Sequence, residues 1–117
     1  MPRTEEPILL AGTLDLLVLR ALSWGPRHGY AVAGWIQQTS RETIEVEDRA
    51  LYLSLHRLEE RGFVESAWAL SENNRRAKFY GLTPAGRRQL KLKERTFARY
   101  VEAVFLILQS TGEPVPK

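Results

Sequence analysis

The run Ser71-Glu72-Asn73-Asn74 constrains this chain more than any other four residues. Serine and asparagine side chains bond nearby backbone, and asparagine tolerates positive φ, so the run favours a turn. Phe63 to Leu70 before it and Ala77 to Leu82 after it have the length and aromatic content of strands. The spacing predicts a β-hairpin whose tip carries Arg75, Arg76 and Lys78. Cations held out on a hairpin meet either open water or an anionic partner.

The pattern elsewhere is helical. Residues 1–10 read as an arm, polar as far as Pro7 and twice interrupted by proline. From Thr13, with Thr13 or Gly12 as cap, Leu14, Leu16, Leu17, Val18, Leu19, Ala21 and Leu22 leave only Asp15 and Arg20 polar. A helix apolar nearly all round must be covered on more than one side, and a second subunit is one cover within reach of so short a chain. Trp24-Gly25-Pro26 stops this helix. His28-Gly29-Tyr30 opens a second, running to about Ser40 with Tyr30, Val32, Ala33 and Ile36 toward the core. Thr43 to Glu47 alternates as a brief β-like segment does.

A third helix is expected from Asp48, as N-cap, to Arg61, ending at Gly62 in the left-handed C′ position. Its core stripe is Leu51, Leu55 and Leu58. At 100° per residue, Arg49, Leu53, His56 and Glu60 fall on the opposite face, flanked by Arg57, with Tyr52 at the edge. Beyond the hairpin, Thr83 caps and Pro84 opens a last helix to about Gln109. Its first half is basic (Arg87, Arg88, Lys91, Lys93, Arg95); its second places Phe97, Val101, Val104, Phe105 and Leu108 near heptad spacing.

The expected class is mainly α with a small β-hairpin, a winged helix-turn-helix. Residues 1–10 form the arm, 11–83 the DNA-binding domain, 84–109 the C-terminal dimerisation helix and 110–117 a flexible tail. In such a fold the third helix enters a DNA major groove and the hairpin is the wing beside it. Charge agrees: residues 1–74 hold 7 Lys/Arg against 11 Asp/Glu, whereas residues 75–117 hold 10 against 3. Cations gathered from the hairpin tip onward suggest a polyanion footprint, with a solvated basic face as the plain alternative.

Other classes find little support. The 117 residues suit one domain, and no apolar run is long enough to cross a bilayer. No signal peptide is recognisable, so a cytoplasmic location is expected. The chain has no cysteine and two separated histidines, which leaves no expectation of a disulfide, a metal site or a cofactor. Without a Gly-rich phosphate loop or a carboxylate pair in a cleft, nothing points to an enzyme.

Five blocks resemble the PadR family of bacterial transcriptional regulators, specifically its short members with a single C-terminal helix. They are Gly12-Thr13-Leu14-Asp15-Leu16-Leu17, Gly25-Pro26-Arg27-His28-Gly29-Tyr30, Leu51-Tyr52 with Leu55-His56-Arg57-Leu58-Glu59, Glu72 to Tyr80, and Leu82-Thr83-Pro84-Ala85-Gly86-Arg87. The resemblance implies a homodimeric repressor that binds an inverted-repeat operator and leaves it on sensing a small molecule or stress. It also implies that the last helix packs on the partner's first helix, which assigns Leu14, Leu17, Val18, Phe97, Val101, Val104, Phe105 and Leu108 to a dimer interface. The family usually has Gly, then Ser or Thr, before the Leu-Tyr pair and Pro after it. Arg49, Ala50 and Leu53 stand there in this chain, so its operator is expected to differ.

The residues expected to contact DNA are Arg49, Tyr52, Leu53, His56, Arg57, Asn73, Asn74, Arg75, Arg76 and Lys78. Each has a plainer reading beside it. Tyr52 could pack rather than touch phosphate, Asn73 and Asn74 could simply form the turn, and strand alternation could aim Lys78 away. Arg57 could pair with Glu60, three residues on. Some relatives bind flat ligands between subunits, which makes Trp24 the candidate effector contact against plain packing; Trp68, in the hairpin, is a poor one. The alternative function is a winged-helix protein-interaction module without DNA readout, which would more often show a broad apolar patch than a cationic wing.

Overall fold

The computed structural model describes residues 12–115, so the expected arm at residues 1–10 lies outside it. α1 covers Leu14–Ala21 and runs into a short 3-10 turn, Leu22–Trp24. β1 is Arg27–His28, α2 Gly29–Thr39 and α3 Asp48–Glu60. The hairpin is β2, Val64–Leu70, with β3, Arg76–Leu82, and α4 is Pro84–Leu108. The sheet order is β1-β3-β2, antiparallel throughout. This is the winged-helix arrangement, with the wing extended by one short strand.

α1 is central. It packs on α2, α3 and α4, and Val18, Leu19, Ala21 and Leu22 are wholly buried with Val32, Leu51 and Leu55. The protein's own helices thus cover much of the helix that the sequence left over-apolar. Val18 is a correction: it is spent on the core and has no surface for a partner. Leu14 and Leu17 are only partly buried.

Asp15 is the polar exception on α1, and its side chain is only 14% exposed. The buried Ser54 hydroxyl donates to Asp15 Oδ1 at 2.5 Å, and Arg57 Nη2 donates to the same oxygen at 2.7 Å. Burial pushes the carboxyl pKa up. The hydrogen bonds from Arg57 and Ser54, with the charges of Arg57 and Lys93, outweigh this and hold it below its ordinary value.

The end of α3 and the start of α4 follow their sequence signals, whereas the N-cap of α3 is Glu47, one residue before the expected Asp48, and makes no side-chain cap bond. At the end of α3, Phe63 N–H bonds Leu58 C=O at 2.9 Å and Gly62 N–H bonds Glu59 C=O at 3.0 Å, a Schellman closure around Gly62 at φ 78°. Thr83 Oγ1 accepts from Gly86 N–H at 3.0 Å and donates to Gly62 C=O at 2.6 Å, while Thr83 N–H reaches Phe63 C=O. The cap of α4 is thereby tied to the end of α3, at the base of the wing.

Two expectations fail, and one element went unanticipated. Thr43 to Glu47 forms no strand; its alternation does bring Ile44 and Val46 against the core, but the segment is not part of the sheet. Tyr30 is 68% exposed because it sits about 200° around α2 from the buried Val32. β1 went unread, since two residues carry no period; it is defined by Arg27 pairing with Tyr80 and His28 with Phe79.

Two outcomes test this packing. Gly86→Ala should lower the urea midpoint, although alanine is the better helix former by about 1 kcal/mol. The added Cβ would be driven into the Phe63 carbonyl, a backbone group held on both sides. For Asp15, the folded carboxyl titrates below the unfolded one, so its contribution is complete above about pH 4 and lost as pH falls through the folded value. The urea midpoint should fall as pH is lowered below about 4, and Asp15→Asn should flatten that fall.

Candidate nucleic-acid interface

Burial of Leu51, Ser54, Leu55 and Leu58 orients α3 so that Arg49, Tyr52, Leu53 and His56 face outward and exposed. The first two turns carry one carboxylate near that side, the exposed Asp48, about 40° around the helix from Tyr52, and Glu47 is the N-cap. His56 Nε2 lies 2.5 Å from Glu60 Oε1, one turn on. Arg57 corrects the expected pairing with Glu60: its guanidinium is bound to Asp15, and it is Glu60 that engages His56. Arg57 is therefore anchored toward α1, though half-exposed. Tyr52 lies flat over the start of α2, so close that a Cβ on Gly29 would sit 2.8 Å from its hydroxyl and ring. Its ring and hydroxyl thus pack on that glycine, while the residue as a whole stays 46% exposed.

The wing tip is a turn organised by Ser71. Its N–H bonds Arg75 C=O at 2.8 Å, its carbonyl accepts from Asn74 N–H at 2.9 Å, and its hydroxyl accepts from Arg75 N–H at 3.3 Å. Asn74 takes φ 57°, the left-handed conformation asparagine tolerates best after glycine. Asn73, Arg75 and Arg76 are exposed around it.

Register decides the direction of the wing's other side chains. Trp68 pairs with Lys78, Ser66 with Tyr80 and Leu70 with Arg76, so these six share one face of the hairpin. Ser66 on that face donates to Glu59 of α3 at 2.5 Å, and Tyr80 is buried. The same face carries Lys78, with its ammonium 5.6 Å from the Tyr80 ring centroid, and Arg76, stacked 4.9 Å from that of Trp68. Alternation thus turns Lys78 toward α3. Trp68, 58% exposed beside it, is the residue that sequence reasoning passed over. The signal was available: Val64, Ser66, Trp68 and Leu70 alternate from a buried valine.

The remaining assignments lie elsewhere. Phe97, Phe105 and Leu108 are exposed on α4, and Val101 and Val104 are half-buried. Trp24 is exposed, with its ring centroid 5.3 Å from that of Trp35 and the Arg20 guanidinium 4.4 Å away. No cluster of metal-ligating side chains occurs among the described residues. Among them, too, no helix is long and apolar enough to cross a membrane.

Comparison with known proteins agrees with this geometry. The model of the transcriptional regulator PadR-like family matches residues 18–92. A PadR family transcriptional regulator from Eggerthella lenta is 30% identical, with a TM-score of 0.74 over 86% of this chain and 85% of that one. A Streptococcus mutans protein shares the fold at 22% identity and a TM-score of 0.77, over 96% of this chain and 100% of that one. An uncharacterised 37.1 kDa protein of a Streptomyces fradiae transposon is 40% identical over 78% of this chain, which spans 25% of that protein. The family's members are transcriptional regulators and not enzymes. The chain described here belongs to the PadR-like family of transcriptional regulators.

Proposed function

We propose that this regulator is a homodimeric, sequence-specific DNA-binding repressor acting in the cytoplasm on an inverted-repeat operator. One observation carries the reading: the outward face of α3 and the cationic face of the wing adjoin, with Tyr52 from one and Trp68 and Lys78 from the other lining one hollow. A groove-reading helix and a phosphate-binding hairpin act together only in that relation. Arg49 has the donors to bond guanine O6 and N7, Leu53 can pack on a thymine methyl, and His56 can reach a base edge once it leaves Glu60. Asn73, Asn74, Arg75, Arg76 and Lys78 fix position on phosphates.

The dimer follows from what α4 leaves uncovered. Its last turns expose Phe105, Leu106, Leu108 and Ile107, the last at 74%. The radius of gyration is 17.5 Å, against about 13 Å for a compact chain of this length. A monomer seldom presents so continuous an apolar projection. A second copy, pairing its α4 and α1 with these residues and with Leu14 and Leu17, would cover it. Release by a small aromatic effector would act at Trp24, whose exposed indole lies between Arg20 and Trp35.

Selection of bound sequences from random duplexes should return a two-fold symmetric site, its half-sites about 34–36 Å apart or a multiple of that. Arg49→Ala should weaken binding and relax the preference at one position of each half-site, a discrimination of about 1–3 kcal/mol. Weaker binding with an unchanged preference profile would reduce Arg49 to a phosphate contact. For the dimer, light scattering should give twice the 13.4 kDa chain mass, and Phe105→Glu should return the monomer. A monomeric wild-type chain at micromolar concentration would refute the interface.

A further inference from the structure

The hollow between α3 and the wing has a composition of its own. It encloses about 320 Å³, with Gly29 and Tyr30 from the start of α2, Tyr52 from α3, and Trp68, Lys78 and Tyr80 from the wing among its walls. Its side-chain polar groups can all donate hydrogen bonds: the Lys78 ammonium, the Trp68 indole N–H, the three tyrosine hydroxyls and the neighbouring His28 imidazole. Among the described residues, no carboxylate lines it. The hollow at the wing tip includes Glu72, and the one behind the sheet includes Glu65. A cationic, donor-rich recess walled by aromatic rings accepts a compact anion carried on an apolar body. A phosphodiester with its deoxyribose is such a group, and phosphate oxygens are bonded by lysine, tyrosine and backbone donors throughout DNA-binding proteins.

We propose that this hollow seats one backbone phosphate of bound duplex DNA, on the strand passing from the groove occupied by α3 to the wing. Lys78 supplies the counter-charge. Trp68, steadied by the Arg76 guanidinium over its ring, walls the adjoining sugar. Tyr52, pressed onto Gly29, closes the opposite side and fixes the distance between α3 and the seat. The inference rests on the DNA-binding reading and adds to it a specific seat that includes Trp68 and Tyr30.

The test uses the full chain and two duplexes, a selected operator and an unrelated sequence. Lys78→Gln should make the slope of log affinity against log salt shallower by about one, the release of one phosphate's counterion. It should weaken both duplexes by the same factor, because a phosphate carries no sequence information. Independently, wild-type tryptophan emission should change on saturation with either duplex, and that change should vanish in Trp68→Phe, which keeps an aromatic wall. An unchanged salt slope, a loss confined to the operator, or an emission change that persists without Trp68 would each overturn the seat. A wild-type chain that binds neither duplex at low salt would overturn the DNA-binding reading as well.

Discussion

The peptide between Gly62 and Phe63 is where the structure is held together. Its neighbours close α3 in a Schellman turn, the Gly62 carbonyl receives the Thr83 hydroxyl, and the Phe63 carbonyl receives the Thr83 N–H. One short stretch of backbone thus ends α3, begins the wing and anchors the cap of α4. Gly86 must be glycine for the same reason, since α4 starts against that carbonyl with no room for a Cβ. Two-stranded hairpins are marginal alone in water, and this one is steadied at its base and by Ser66 bonding Glu59 of α3. Its tip can project because its root is fixed.

Asp15 makes the second connection, at right angles to the first in consequence if not in space. Removing its carboxylate would leave the wholly buried Ser54 hydroxyl without a partner, a cost of about 1–3 kcal/mol. The Arg57 pair is half in water and adds less. Because the acid comes from α1 and both donors from α3, the network sets the rotation of α3 about its own axis. That rotation decides which side chains face outward. On the proposed reading α1 also borders the partner subunit, so Asp15 links the frame of the dimer to the surface that meets DNA.

The sequence was legible wherever a local rule decides the outcome. Asn74 takes the left-handed conformation, Gly62 ends α3, and Thr83 with Pro84 begins α4, because each depends on residues a few places away. Legibility failed where the deciding partner is distant. Arg57 has Glu60 within one turn, yet it is engaged by Asp15, 42 residues earlier. Val18 looked surplus on a crowded helix, but three other helices of the same chain share the task of covering it. β1 exists because β3 offers an edge, and nothing in Arg27-His28 itself announces a strand. Trp68 was the subtler omission: once Val64 is known to face inward, the pleat alone aims the indole at α3.

On the proposed reading, the division of labour between α3 and the wing would have an energetic consequence for α4. One α3 presents few groups suited to base edges: Arg49, Leu53 and a His56 already engaged by Glu60. A good bidentate base contact discriminates by about 1–3 kcal/mol, whereas specific sites are typically favoured over random DNA by about 4–10 kcal/mol. Arg49, the one of these able to bond a guanine bidentately, would by itself stay below that range even at the higher figure. Phosphate contacts from the wing would not close the gap, since such contacts raise affinity for every sequence alike. Two copies held in fixed relation would double the discriminating contacts and make the second engagement intramolecular. The apolar end of α4 would then matter to sequence recognition as much as Arg49 does, although it need never approach a base.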